Sequence, residues 1–295
     1  MKGVIPPKII LDNLLEDWLL EDIGRGDRTT SGLLLGDEVI VGAGHWLIKE
    51  AGVITGLPIA ARVFQLLNEQ VNFLPTVAEG EWCEKGTVVA KLDGPLDSLL
   101  TGERVALNLG MRLSGIATMT RRYVEKIADL PVQLVDTRKT TPGLRILEKY
   151  ATQVGGAKNH RMGLDDGVMI KDNHIAAAGG IGEAIAKVRE RIPYPLTIEV
   201  ETETLVEVET ALEHQADIIM LDNMSVEVME QAVKMIRQNN SRIKIEASGN
   251  ITLETIRNVA ETGVDYISTS APITRSTWLD LSCLLYTSDA ADEGW

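Results

Sequence analysis

VQLVDTRK, residues 132–139, is an apolar run that stops on an acid, a hydroxyl and two cations. The same pattern returns in VMIKDNH at 168–174 and in IIMLDN at 218–223. A continuous apolar run of about four residues, ringed by turn residues, is how a strand buried on both faces reads. Polar groups massed where several such strands end mark the C-terminal rim of an α/β barrel, where that fold keeps its chemistry.

Working outward, the spacing predicts strands at 132–135, 168–170, 196–200, 218–221, 243–247 and 264–267. Amphipathic helices are expected between them at 144–151, 181–191, 204–214, 226–238 and 253–262. Ser225 and Thr252 read as N-caps, with Glu227 and Glu254 in the first turns, and Gly263 as a helix stop. Repeated βα units imply a parallel sheet with right-handed crossovers. Five of the six strands finish on polar or ionisable residues, at 136–139, 171–174, Glu201, 222–223 and 248–250. An open sheet binds at one switch point, whereas five contributing strands favour a ring. The segment is short for eight units, so the barrel is expected to be incomplete.

Upstream, residues 11–21 read as a helix and 39–93 as short strand-like runs broken by glycine, with no βα repeat. Residues 99–128 form one long apolar helical stretch interrupted by Gly102, Gly110 and Gly115. The expected organisation is an N-terminal α/β sandwich domain at 1–112, a barrel at 113–271 and a C-terminal segment at 272–282 that packs back on the first domain. Residues 283–295 show no period and read as a disordered or non-native tail; deletion of 286–295 is expected to leave activity intact.

The chain has 295 residues, a net charge of −14 and a pI near 4.8. That balance disfavours nucleic acid or an anionic membrane as the main partner, since both reward excess Lys and Arg. No apolar stretch approaches the roughly 18 residues of a membrane span, and the N-terminus lacks a signal-peptide pattern, so a cytoplasmic location is expected. The cysteines, Cys83 and Cys283, lack disulfide-framework or metal-ligand spacing. Yet residues 136–175 hold Arg138, Lys139, Arg145, Lys149, Lys158, Arg161 and Lys171, with His160 and His174. A basic patch in an acidic protein suits a small, highly charged anion.

The ordered strings DTRKTTPGLR (136–145), GGAKNHR (155–161), IKDNHI (170–175), IEVE (198–201), MLDN (220–223) and ASGNI (247–251) resemble the motif set of the quinolinate phosphoribosyltransferase family. EDIGRGDRTT (21–30) and GERVALN (102–108) match it as well, so the resemblance covers about residues 8–282. It implies an incomplete, seven-stranded α/β barrel with an N-terminal sandwich domain. It also implies synthesis of nicotinate mononucleotide from quinolinate and phosphoribosyl pyrophosphate with Mg²⁺, releasing pyrophosphate and CO₂. Subunits of the family pair head to tail, so a homodimer with shared sites is expected, with Arg104 acting across the interface.

Under that resemblance Arg138, His160, Arg161 and the neighbour's Arg104 take the quinolinate carboxylates, because forked donors suit carboxylates. Thr137 joins the substrate-binding set. Lys139 and Lys171 serve the dicarboxylate and the pyrophosphate edge together. Glu201 and Asp222 stabilise positive charge at the ribose, and hold its hydroxyls or Mg²⁺ largely through the substrate. The 5′-phosphate falls to Ser248, Gly249 and Asn250 and to Ser270, which stands where the family more often has glycine. A serine tolerates positive φ poorly, so a shifted phosphate loop is expected. Glu199 faces the same side as Glu201, leaving either as the site carboxylate, with the resemblance favouring Glu201. Two other readings remain open: a Schiff-base lyase using Lys139 or Lys171, and a barrel paralogue handling another anion.

Overall fold

A computed structural model of the chain describes residues 3–34 and 39–287, in two compact units. The first gathers 1–119, 141–155 and 276–295, and the second 120–140 and 156–275. In chain order the elements begin with α1 (Lys8–Ile23), α2 (Arg28–Leu33), β1 (Val41–Ile48), β2 (Gly52–Val53), α3 (Leu57–Leu67), β3 (Asn72–Pro75), β4 (Trp82–Cys83), β5 (Val88–Pro95) and α4 (Leu96–Glu125). Next come β6 (Gln133–Val135), α5 (Arg145–Gly155), β7 (Val168–Ile170), α6 (Asp172–Ala178), α7 (Ile181–Arg189), β8 (Ile198–Thr202) and α8 (Leu205–Glu213). The chain closes with β9 (Ile218–Asp222), α9 (Val226–Asn239), β10 (Lys244–Ser248), α10 (Ile256–Glu261), β11 (Tyr266–Ser268), α11 (Ala271–Thr274) and β12 (Leu281–Thr287).

The first unit is built on an antiparallel sheet of order β12-β1-β5-β3. Burial alternates along β1, which places Trp46 and Ile48 on the core face. Phe73 of β3 meets the edge of Trp46 and stacks on Phe64 of α3. Sequence reading missed α3, whose buried Leu57, Ile59, Ala60, Val63 and Phe64 give it a clear helical face. Gly115 in α4 has no room for a side chain, since a Cβ there would lie 1.9 Å from the Thr277 carbonyl oxygen. Absence of a side chain thus lets the 276–279 segment lie against the helix.

Two expectations about organisation need correction. Residues 283–287 are not a disordered tail: they belong to β12, where Cys283, Leu284, Leu285 and Tyr286 pair with Trp46, His45, Gly44 and Ala43. An edge strand needs one partner and no strict alternation, so the period carried no warning; residues 288–295 lie outside the described residues. Helix α5 groups with the first unit and not with the barrel, and the unit boundaries fall at 119/120 and 275/276. Its buried Glu148 accepts two hydrogen bonds from Arg112 of α4, at 3.1 and 2.7 Å, and its Tyr150 hydroxyl donates to Glu79.

The second unit holds a parallel sheet of order β6-β11-β10-β9-β8-β7. Lys158 makes an isolated parallel bridge to Val135 on the free side of β6. The seventh strand expected from the resemblance is thereby reduced to one bridge, and the ring is open between Lys158 and β7. Ser225 caps α9 by accepting from Val228 N–H, as read from the sequence. Thr252 instead opens a turn that accepts Glu254 N–H, and α10 starts only at Ile256. Among the described residues no helix is long and apolar enough to cross a membrane.

Candidate active site

Every parallel strand runs the same way, so the residues that end them gather at one rim. A cavity of about 660 Å³ opens there. Thr137, Arg138, Lys139, His160, Arg161, Lys171, Glu201, Asp222, Ser248, Gly249, Asn250 and Ser270 all line it. Arg104 does not: it lies on α4 in the first unit with its side chain 60% exposed.

One side of the cavity is cationic and braced from below. The buried Asp136 carboxylate accepts the His160 backbone N–H at 2.8 Å and the Asn159 amide at 2.7 Å, tying the turn after β6 to the segment after Lys158. Thr137 accepts Lys139 N–H at 3.0 Å, which shapes the turn bearing Arg138 and Lys139. Neither of those two cations has an ion-pair partner among the described residues. Arg161 donates to the Gly167 carbonyl at 2.8 Å, and burial, then the charge of Arg138, holds its guanidinium below its ordinary value. Two guanidinium groups that repel one another in a partly dry pocket are relieved by a bound anion.

The acidic side comes from β8 and β9. Lys171 donates to Glu201 at 2.6 Å, an ion pair whose lysine is 44% exposed. Asp222, the last residue of β9, accepts from the Asn223 amide at 2.7 Å. His174 does not reach substrate through its Nδ1, which accepts the Lys171 backbone N–H at 3.1 Å and so steadies the start of α6.

The loops after β9 and β10 are knitted together. Asn223 N–H donates to the Ser248 carbonyl and the Asn250 amide to Asn223 Oδ1. Gly249 has φ +97°, and a Cβ there would fall 2.2 Å from Asn223 Oδ1 and 2.8 Å from Asn223 N. Only glycine fits. Ser270, by contrast, sits at φ −86°, so the strain expected from serine at this position does not arise and the loop is not displaced on that account.

Sequence reading missed Glu246 and Arg275, both of which line the cavity. Arg275 follows α11 and ends no strand, so it carried no rim signal. Glu246 had one: an acid two residues before Ser248 in a buried strand faces the same side and demands a partner. Its partner is His160. The His160 ring takes Glu199 at 3.1 Å and Glu246 at 3.5 Å on Nε2, and accepts Arg161 N–H on Nδ1 at 2.7 Å. Both ring nitrogens are engaged, which corrects the expectation that His160 donates to a substrate carboxylate. Glu199 is 3% exposed and does not line the cavity, whereas Glu201 of the same strand does. Burial first, then the charge of Glu199, pushes the Glu246 carboxyl up to about 7, against the opposing pull of His160, the Ser268 hydroxyl and Lys171.

Residues 27–114 match the model of the quinolinate phosphoribosyl transferase N-terminal domain and residues 116–283 that of its C-terminal domain. The chain is 61% identical over 278 residues to a probable nicotinate-nucleotide pyrophosphorylase [carboxylating] of Synechocystis sp., covering 94% of this chain and 93% of that one. Identity is 46% to the Bacillus subtilis protein of the same description, with 88% and 87% covered. Among solved structures, NadC from Streptococcus pyogenes superposes with a TM-score of 0.90 at 41% identity, covering 97% of this chain and 99% of that one. With both domain models matched in order and the rim residues assembled in one cavity, the chain belongs to the quinolinate phosphoribosyl transferase family.

Proposed function

We propose that the chain transfers a phosphoribosyl group from phosphoribosyl pyrophosphate to the nitrogen of quinolinate, with loss of CO₂, to give nicotinate mononucleotide and pyrophosphate. One observation carries the reading: Arg138, Lys139, Arg161 and Lys171 line the same cavity as Glu201 and Asp222. The reactants bring two carboxylates, a 5′-phosphate and a pyrophosphate, so a site for them must be cationic where they bind. It must also be anionic where the sugar turns positive.

Arg138 and Arg161 take the two carboxylates by forked hydrogen bonds. Binding relieves the repulsion within this pair, which the charges of Glu199 and Asp166 offset only in part. Lys139 meets the pyrophosphate edge, and Lys171, held by Glu201 until substrate arrives, spans the dicarboxylate and pyrophosphate. The 5′-phosphate takes backbone N–H groups of Gly249 and Asn250 with the hydroxyls of Ser248 and Ser270, and Arg275 adds a charge at the same end. The pyridine nitrogen lone pair attacks C1 of the ribose as the bond to pyrophosphate breaks. Glu201 and Asp222 stabilise the developing cation. The ribosylated ring then accepts the bonding pair left as CO₂ departs, and a proton replaces it.

Mg²⁺ fits the acidic side, since Glu201 and Asp222 are carboxylates lining the cavity and this cation takes oxygen donors. These residues would hold it with the substrate, where it neutralises pyrophosphate. A homodimer with Arg104 completing its neighbour's site belongs to the same proposal, as does a cytoplasmic location. The Schiff-base alternative finds little support, because Lys171 is ion-paired and Lys139 exposed, neither in an apolar pocket.

Incubation of the pure protein with quinolinate, phosphoribosyl pyrophosphate and Mg²⁺ should yield nicotinate mononucleotide. No product at any concentration rejects the proposal. Mixing inactive Arg104→Ala and Lys171→Ala subunits should restore activity if sites are shared; hybrids as dead as their parents reject that part alone.

A further inference from the structure

We propose that Glu199, together with Glu246, is a positioning residue for quinolinate binding: two buried acids at the base of the cavity hold the His160 ring, and through it the backbone of Arg161, whose guanidinium meets the dicarboxylate. The inference rests on the activity proposed above and gives these two acids a role that acts through His160.

Glu199 is 3% and Glu246 4% exposed, on β8 and β10, with β9 between them. Side chains from alternate strands that meet in this way form one interior layer of a barrel. Both reach the same atom, His160 Nε2. Because Nδ1 of that ring accepts Arg161 N–H at 2.7 Å, the ring proton sits on Nε2 and points at the carboxylates. Asp136 holds the backbone N–H of the same residue at 2.8 Å, so ring and main chain are fixed independently.

Two cavities meet here. His160 and Arg161 line both the rim cavity and a second one of about 390 Å³, which Glu199 also lines. The ring is set between them by polar contacts on both of its nitrogens. Stability alone does not explain the acids. Oε1 of each is buried without a hydrogen-bond partner, an arrangement that apolar residues of similar size would avoid. What the acids provide is one orientation of the imidazole, and so one position of the Arg161 main chain, whose guanidinium is anchored separately on Gly167.

Glu199→Ala should raise KM for quinolinate about 10-fold, the loss of one buried hydrogen bond, with KM for phosphoribosyl pyrophosphate within about two-fold. Glu199→Gln should recover most of that loss, because its amide oxygen still accepts from Nε2. Equal rises in both KM values, no rise in either, or a glutamine variant as impaired as alanine would overturn the inference. Nitrogen-15 NMR of the histidine-labelled unmodified protein, with His160 assigned by its loss in His160→Gln, requires no variant of Glu199 to fold. It should show a fixed Nε2–H tautomer; an Nδ1–H tautomer or tautomeric averaging would sink the idea. That measurement needs no turnover, so it judges the inference even if no nicotinate mononucleotide is formed.

Discussion

Glu246→Gln should change how stability depends on pH. Burial beside Glu199 raises the Glu246 carboxyl from 4.5 to about 7, so the folded protein holds this proton more tightly than the unfolded chain does. The sign follows from linkage: stability contributed by the protonated acid is complete below 4.5 and is lost as the pH rises through 7. At about 1.4 kcal/mol per tenfold in proton affinity, the loss amounts to about 3 kcal/mol, most of it between pH 5 and 7. Glutamine mimics the protonated acid in shape and does not titrate. The stability of Glu246→Gln minus that of the parent should therefore climb by about 2–3 kcal/mol from pH 5 to pH 8 and level off above. Equilibrium urea unfolding read by far-UV circular dichroism is the assay, because the tryptophans among the described residues, Trp18, Trp46, Trp82 and Trp278, belong to the first unit. A difference that stays flat across that range, or falls with rising pH, would refute the argument that this acid is buried with its proton.

Gly249→Ala should cost about 2–3 kcal/mol of stability through positive-φ strain and contact with Asn223, and raise KM for phosphoribosyl pyrophosphate more than for quinolinate; steady-state kinetics with each substrate varied will decide. Arg138→Ala should lower kcat/KM for quinolinate roughly 10- to 150-fold, the loss of one charge-assisted contact. Arg138→Lys should not restore it, since a point charge cannot fork across a carboxylate; full recovery with lysine would contradict the assignment. Removing residues 281–295 should destabilise the first unit by about 2–5 kcal/mol, from loss of the buried Leu281 side chain and the pairing to β1, seen as an earlier tryptophan-fluorescence transition in urea.

The rim was legible because buried parallel strands write themselves as apolar runs and their ends as polar punctuation. Arg138, Lys171, Glu201, Asp222 and the 248–250 turn follow directly from that rule. The floor was harder to read. Glu199 was visible as a same-face neighbour of Glu201, but the depth of a residue in a barrel depends on strand stagger, which no single strand records. His160 was assigned to a substrate carboxylate through the family resemblance; only the meeting of β8, β10 and the Lys158 segment engages both ring nitrogens. Similarly, α5 has the spacing of a barrel helix, and its buried Glu148 and Tyr150 show their allegiance only through Arg112 and Glu79. Strand β12 was hidden because an edge strand can form from an irregular run once a neighbour offers its backbone.

Strand β1 waits between β5, which follows it by some forty residues, and β12, which begins 233 residues after β1 ends. On the ribosome the chain emerges from its N-terminus, so this sheet keeps a bare flank while the whole of 156–275 is being synthesised. The 156–275 segment is therefore complete before this sheet is, and any delay before 281–287 is made prolongs exposure of an unpaired β1 edge to other nascent chains.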